Sequence, residues 1–236
     1  MKAFYERKES IYHDTGASIG ERERRVLECF PPRRGLRVFD VGCGSGRFLR
    51  ILKDLGHDPV GMDLSEAAVA TATQSGVVAY SGRVDSPADL DRAGKDFDVV
   101  TALDVLEHTF DPSQILRQLV AVVRPGGCLI ASVPNVGCLS GRLTVLMGRF
   151  PATASGIFDS GHIRFFTRSN LADYVNGSGA WELQACTGTP LPPWKRFGLW
   201  RLERPHQFAF SRLARFWPAL FGYQLVFRLG LKPRPA

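Results

Sequence analysis

The apolar positions of this chain follow two alternating rhythms. Short runs of branched and aromatic residues, the mark of buried strands, occur at RVFDV (37–41), in a segment ending at Asp63, and at VVAY (77–80), FDVVTAL (97–103) and CLIASVP (128–134). Between them, apolar residues return at three and four positions. Phe48, Leu49, Ile51, Leu52 and Leu55 predict a helix after the first run, and Ser65 reads as the N-cap of an alanine-rich second helix. Asp111-Pro112 opens a third, running through Ile115, Leu116, Leu119, Val120 and Val123 and ended by Arg124-Pro125-Gly126-Gly127. Ahead of all these, a helix is predicted from Ser18 to Phe30, with Val26, Leu27 and Phe30 inward and Pro31-Pro32 as its stop. Strands alternating with helices imply parallel pairing through right-handed crossovers, with ligands at the carboxyl ends of the strands.

The later part of the chain departs from this rhythm. Gly141–Phe150 (GRLTVLMGRF) predicts a short apolar helix acting as a lid beside the cleft, and Thr167 an N-cap for a helix ending at Gly177 or Gly179. WELQAC (181–186) and YQLVFRLGL (223–231) read as strands that close the sheet as an antiparallel hairpin, leaving 187–222 as an insertion between them.

Chemistry enters at the first strand's end. Gly42, Cys43, Gly44, Ser45 and Gly46 let the backbone turn sharply with nothing bulky above it, so a ligand can approach main-chain N–H groups and the start of the next helix. Asp63 follows Gly42 by 21 positions and ends the next strand, where a carboxylate accepts hydrogen bonds from ribose hydroxyls. The outline is a nucleoside-cofactor site.

The spacing is G-x-G-x-G, preceded by Asp40, rather than the dinucleotide G-x-G-x-x-G. DVGCGSG with the distal Asp63 resembles the first motif of class I S-adenosylmethionine-dependent methyltransferases. FDVV, LEH and LRQLVAVVRPGGCLIASVPN extend the resemblance over about residues 36–135. HIRFFT, through His162, Arg164, Phe165, Phe166 and Thr167, is similar to a signature of a bacterial small-molecule subgroup, of ubiquinone-biosynthesis-like and cell-surface sugar-cluster type. The resemblance implies an α/β, Rossmann-like, doubly wound sheet of seven mostly parallel strands, with an antiparallel C-terminal hairpin and a helical insertion. It implies S-adenosylmethionine as cofactor, held by Asp40, Gly42, Cys43, Gly44, Gly46, Asp63, Leu64, Leu103 and Asp104. At strand three the pattern departs, because Gly82 is followed by Arg83 and Val84 with Asp85 as the nearest carboxylate; Val84 and Asp85 are the candidates beside the adenine. The implied organisation is an N-terminal helical cover (1–35) and a methyltransferase domain (36–236), with an acceptor-side cap (136–180) and the insertion (187–222).

Methyl transfer to a hydroxyl needs an oriented acceptor and a base. His108, an imidazole titrating near neutrality at the expected edge of the cleft, and His162, in a loop before a helix over the top of the sheet as a second base or acceptor-orienting group, are the candidate catalytic residues. Asp104, Glu107 and His108 at i, i+3 and i+4 also share one helix face that could hold a divalent metal, but two carboxylates and one imidazole are few for a site, and a metal is the lesser reading. The expected acceptor is a small molecule, such as a hydroxyl of a sugar, glycolipid or other secondary metabolite. Nucleic acid is not expected, because Ser132-Val133-Pro134-Asn135 stands where enzymes acting on its exocyclic amines carry Asn/Asp-Pro-Pro-aromatic. Two other classes remain open: a nicotinamide oxidoreductase, which would need its third glycine one step later, and a non-catalytic scaffold with the same fold.

Composition adds bounds. At 44% hydrophobic, 236 residues make one sizeable core, and no window reaches the roughly 18–20 apolar residues of a membrane span. MKAFYERKESIYHD lacks the apolar centre of a secretory leader. The five cysteines lack CxxC spacing, which fits reduced cytosolic thiols, and Cys43 reads as a small filler. From Pro190 onward there are nine Lys or Arg against one Glu, so the net charge of +7 belongs to a C-terminal feature. The insertion's arginines and aromatics fit packing on the domain or on a homodimer partner, with peripheral contact of 191–222 at the inner membrane face as a second fit. Nucleic-acid stacking is the third.

Overall fold

The computed structural model describes residues 19–190 and 203–232, with the side chains of 203–209 left aside. The N-terminal half runs α1 (Glu21–Glu28), β1 (Arg37–Val41), α2 (Arg47–Asp54), β2 (Asp58–Asp63), α3 (Glu66–Gln74), β3 (Val78–Ser81), α4 (Pro87–Arg92) and β4 (Phe97–Leu103). A 3-10 turn at Leu106–His108 leads into α5 (Pro112–Leu119) and β5 (Val123–Pro134). Then come α6 (Leu139–Leu146), α7 (Arg168–Ser178), β6 (Trp181–Pro190), α8 (Glu203–Phe216), α9 (Pro218–Phe221) and β7 (Gly222–Leu231). The seven strands form one sheet in the order β3-β2-β1-β4-β5-β7-β6. Pairing is parallel from β3 to β5 and antiparallel at β5–β7 and β7–β6, the expected Rossmann-like arrangement.

Both faces of the sheet are covered, so the central strands are apolar on both sides. On one face Val26 of α1 and Phe48, Ile51 and Leu52 of α2 pack on Val38, Val99, Ile130 and Val226. On the other, Ile115, Leu116 and Leu119 of α5 and Leu171 and Val175 of α7 meet Phe39, Val100, Leu129 and Phe227. Trp181, fully buried at the start of β6, donates its indole N–H to the Leu116 carbonyl at 2.7 Å and so ties the hairpin to α5.

Helix starts follow the sequence. Ser65 and Asp111 cap α3 and α5 by accepting the Ala68 and Gln114 N–H groups. Thr167 and Asn170 form a capping box on α7, which ends at Gly179 in the left-handed region. Several boundaries differ from expectation. α5 stops at Leu119, and Val123 already pairs with Phe97 as the start of β5. The Val120–Val123 part of the apolar stripe is therefore a turn and strand, whose burial imitates a helix face. β6 continues to Pro190, because Thr187 to Pro190 stay paired with β7, so the insertion begins at 191 rather than 187. Residues 1–18 of the N-terminal cover and 191–202 of the insertion lie outside the described residues. α4 was not foreseen; with six residues it shows no periodicity, although Ser86 caps it and Pro87 begins it. α6 covers Leu139–Leu146 and leaves Leu143, Val145 and Leu146 exposed.

One charged group lies inside the sheet. Asp40 of β1 is 2% exposed and accepts the Thr101 hydroxyl of β4 at 2.5 Å. Burial pushes its carboxyl up to about 7, with the Thr101 bond and Arg22 opposing and Asp63 adding to the rise.

Two outcomes are expected. Trp181→Ala should cost about 3–5 kcal/mol in urea unfolding, from the cavity and the lost indole bond. Folded Asp40 keeps its proton to about pH 7, whereas the unfolded carboxyl releases it near pH 4. Its contribution is therefore full below pH 4 and is lost as pH rises toward 7. The stability of Asp40→Asn relative to wild type should improve by about 4 kcal/mol across that interval in the ligand-free protein. A difference that stays flat with pH would refute this.

Candidate active site

A cavity of about 620 Å³ opens at the carboxyl ends of β1, β2 and β4. Its floor is the turn after β1. The Gly42 N–H donates to Met62 O at 2.7 Å, and the Gly44 N–H donates to Oδ2 of Asp63 at 2.8 Å. The other Asp63 oxygen accepts the Ser65 N–H at 2.9 Å, so one carboxylate ties the glycine turn to the start of α3. Burial raises the Asp63 pKa, and the backbone donors work against that rise.

Asp40, Gly42, Cys43, Gly44, Asp63, Leu64, Val84, Asp85, Leu103, Asp104, His108 and His162 all line this cavity. Gly46 does not. It caps α2 at φ +77°, and a Cβ there would stand 2.8 Å from Ala72 Cβ, so its bareness serves helix packing. Gly42 has the opposite task, because a Cβ on it would meet Val105 Cγ2 at 2.5 Å beneath the turn. Cys43 sits in a small cluster with Leu49, Ala72 and Val77, and burial raises its thiol pKa, as suits a filler. At the far end, Asp85 is half exposed and held by a two-pronged ion pair to Arg83 at 2.9 and 2.7 Å, which lowers its pKa.

Asp104 is more connected than its sequence neighbours indicated. It adopts φ +55° and pairs with Arg22 of α1. The Gln224 amide donates to its carboxylate at 3.0 and 3.1 Å, and the Ser132 hydroxyl at 3.0 Å. Arg22 also meets Glu23 at 3.0 Å, and Glu23 meets Arg47 of α2 at 2.7 Å. Burial alone would lower the Arg22 pKa; the Asp104 and Glu23 carboxylates reverse this and hold it above the usual range. Sequence reasoning singled out none of Arg22, Glu23, Arg47 and Gln224. The one signal available was the run of charges in ERERR of α1.

At the cavity's other side the HIRFFT loop meets the turn after β4. The Ile163 and Arg164 N–H groups donate to the Glu107 carbonyl at 2.9 and 3.0 Å, and Arg164 Nε donates to Phe110 O at 3.0 Å. Phe166 is fully buried against Tyr174, and Thr167 is the α7 cap, so most of this signature holds the loop in place. The loop brings His162 to His108, with ring centroids 5.0 Å apart and an angle of 64°. His108 Nδ1 lies 3.0 Å from the Gly161 carbonyl, which makes Nδ1 the protonated nitrogen and leaves the lone pair on Nε2. His162 Nδ1 is buried without a hydrogen-bond partner, and burial followed by proximity to His108 lowers its pKa.

Glu107 is fully buried, and neither carboxylate oxygen has a partner. Burial, followed by the nearby Asp104, raises its pKa well above the usual range. Ligand atoms of Glu107, His108 and His162 fall within 4.8 Å of one another, a donor set suited to a divalent ion. This differs from the sequence grouping of Asp104, Glu107 and His108, because the left-handed backbone at Asp104 turns it toward Arg22 and Gln224.

The floor fits S-adenosylmethionine. A bare glycine turn, the Asp63 carboxylate and the half-buried Arg22 cation face one cavity, matching a ligand that is part nucleoside and part amino acid. Residues 17–180 match the family model described as a methyltransferase domain. Over 171 residues the chain is 30% identical to the ubiquinone biosynthesis O-methyltransferase of Paraburkholderia phymatum, covering 70% of this chain and 73% of that protein. The enzyme of the same description from Xanthomonas axonopodis pv. citri is 33% identical, covering 68% and 69%. Among solved structures, magnesium protoporphyrin IX methyltransferase from Synechocystis PCC 6803, with bound SAH, superposes with a TM-score of 0.62 at 18% identity, covering 98% of this chain and 95% of that one. An S-adenosylmethionine-dependent methyltransferase from Mesorhizobium loti superposes at 0.61 and 18% identity, covering 92% and 100%. These likenesses show the fold, and the sequence matches show the family: the chain is a class I S-adenosylmethionine-dependent methyltransferase, belonging with the enzymes of ubiquinone-biosynthesis type.

Proposed function

We propose that this enzyme methylates a hydroxyl of a small molecule, a sugar, glycolipid or other secondary metabolite, with His108 and His162 serving the acceptor. The observation that carries this reading is the imidazole pair standing edge to face at the cavity's acceptor side, 5.0 Å apart. The relatives, named for ubiquinone-biosynthesis O-methylation, support oxygen as the methylated atom.

S-adenosylmethionine supplies an electrophilic methyl group on a sulfonium. The residues of this chain do the rest. Asp63 would accept from the ribose, the bare glycine turn would let the cofactor come close to the backbone, and Arg22 would pair with the amino-acid carboxylate. Val84 and Asp85, which line the cavity, would flank the adenine, and residues 136–180 would cap the acceptor side. His108 is held through Nδ1 by Gly161 and takes the acceptor's hydroxyl proton on Nε2. His162, kept neutral by burial, orients the acceptor oxygen.

The unpartnered Glu107 carboxyl favours a second reading of the same trio, in which Glu107, His108 and His162 hold a divalent cation that activates the hydroxyl. Full activity after dialysis against EDTA supports the base, and loss restored by added Mg²⁺ or Zn²⁺ supports the cation.

The insertion supports a further part of the proposal, peripheral contact with a membrane. α8 and the residue after it leave Leu213, Phe216 and Trp217 exposed beside Arg212 and Arg215. Among the described residues no helix is long and apolar enough to cross a membrane.

His108→Ala and His162→Ala should each lower kcat about 100-fold or more, in an acceptor screen of hydroxylated sugars and phenols with labelled cofactor, and leave S-adenosylhomocysteine affinity within about twofold. Full turnover in both variants sinks the assignment. The full chain should float with anionic but not neutral vesicles, and Phe216→Asp should abolish this. Concentration-dependent dimerisation without flotation would point to a second copy as the surface's partner.

A further inference from the structure

We infer that α8, the helix of the basic insertion, is a working part of the cofactor site: Arg25 and Ser211 lock the rotation of α1 that delivers Arg22 to the cleft. They are positioning residues, and the inference rests on Arg22 as the partner of the cofactor's carboxylate.

The argument begins with a buried charge. The Arg25 side chain is 5% exposed, and such a cation is strongly destabilising unless its donors are paired. Glu21 at 3.0 Å and Glu28 at 3.2 Å, both on α1, neutralise it. Its remaining reach goes to α8, where Nη2 donates to the Ser211 carbonyl at 3.2 Å and also to the Ser211 hydroxyl. That hydroxyl in turn donates to Glu21 at 3.1 Å. One turn further along both helices, Arg215 approaches Glu28 at 3.7 Å. Each carboxylate that neutralises Arg25 is therefore also held from α8.

Helix geometry carries the effect to the cleft. Arg22, Arg25 and Val26 stand at i, i+3 and i+4, so they share one side of α1, with Arg25 and Val26 on either flank of Arg22. Val26 is fully buried in the core, and Arg25 is locked to α8. With both flanks held, Arg22 has one direction left, toward Asp104 and the cavity. Glu23 anchors the same turn to Arg47, at the start of the helix that follows the glycine turn. α1 thus bridges two parts of the chain, the turn that opens the cofactor site and the insertion close to the C-terminus.

Calorimetric titration of the full-length protein with S-adenosylhomocysteine tests this without any acceptor. Ser211→Ala, a mild change at a residue that does not line the cavity, should weaken binding roughly three- to tenfold. Arg22→Ala should weaken it at least as much, and adding Ser211→Ala to Arg22→Ala should cost nothing more, because both act through one contact. Arg25→Ala should behave as Ser211→Ala or more severely; where it fails to fold, Ser211→Ala decides. Wild-type affinity in Ser211→Ala with a lowered Tm would mean that the contact only stabilises the fold, and would overturn the inference. Additive losses in the double variant would overturn it too. If the wild-type protein did not bind S-adenosylhomocysteine, the cofactor reading itself would fail, a result distinct from the other two.

Discussion

The reversal of strand order at β1 governs where chemistry takes place in this protein. From β1 the chain moves outward through β2 and β3, then crosses back to β4 on β1's other side. The loops that leave β1 and β4 therefore diverge, and a crevice opens at their carboxyl ends. The turn from Gly42 to Ser45, the Asp63 carboxylate, and Asp104, Val105, Glu107 and His108 all open into it. None of these groups needs a special fold of its own. They become a site because parallel strands end at one edge of the sheet.

Two additions complete that crevice, and each covers a different half. α1 lies over the cofactor half and sends Arg22 to Asp104, where Gln224 and Ser132 also converge. The loop before α7 covers the other half and sets His162 against His108. Each cover has an apolar anchor, Val26 on α1 and Phe166 in the loop, and is aimed by polar contacts to backbone or to buried carboxylates. Contacts of this kind give direction, because a hydrogen bond has a preferred geometry and apolar packing does not. One half carries paired charges, whereas the other carries imidazoles beside a buried carboxyl whose pKa burial raises.

The local geometry of helix starts explains how much of the architecture was legible. Ser65, Asp111 and Thr167 cap helices through their own side chains, a local interaction that needs no distant partner. Strand runs such as FDVVTAL were legible because burial on both faces demands a continuous apolar segment. Where tertiary contacts set the boundary, local reading slipped. Val123 carries an apolar side chain that suits a helix stripe equally well, and only its pairing with Phe97 makes it strand. The extension of β6 from Cys186 to Pro190 likewise depends on β7, whose partner residues lie more than thirty positions away.

By itself the sequence determined the alternation of strands and helices and the glycine turn of a nucleoside site, because glycine spacing, strand runs and caps are local requirements of backbone conformation; S-adenosylmethionine followed from the family resemblance of those motifs. The sequence also put His108 and His162 forward singly. The tertiary structure alone decided that these two meet, that Glu107 joins them in place of Asp104, and that Arg22 belongs to the cofactor cleft. The physical reason is that each of these depends on an angle rather than on a spacing. A left-handed residue at Asp104 redirects one carboxylate, and the rotation of α1, held from α8, aims one guanidinium. Rotations of that kind are set by partners far apart in the chain, and no window of residues records them.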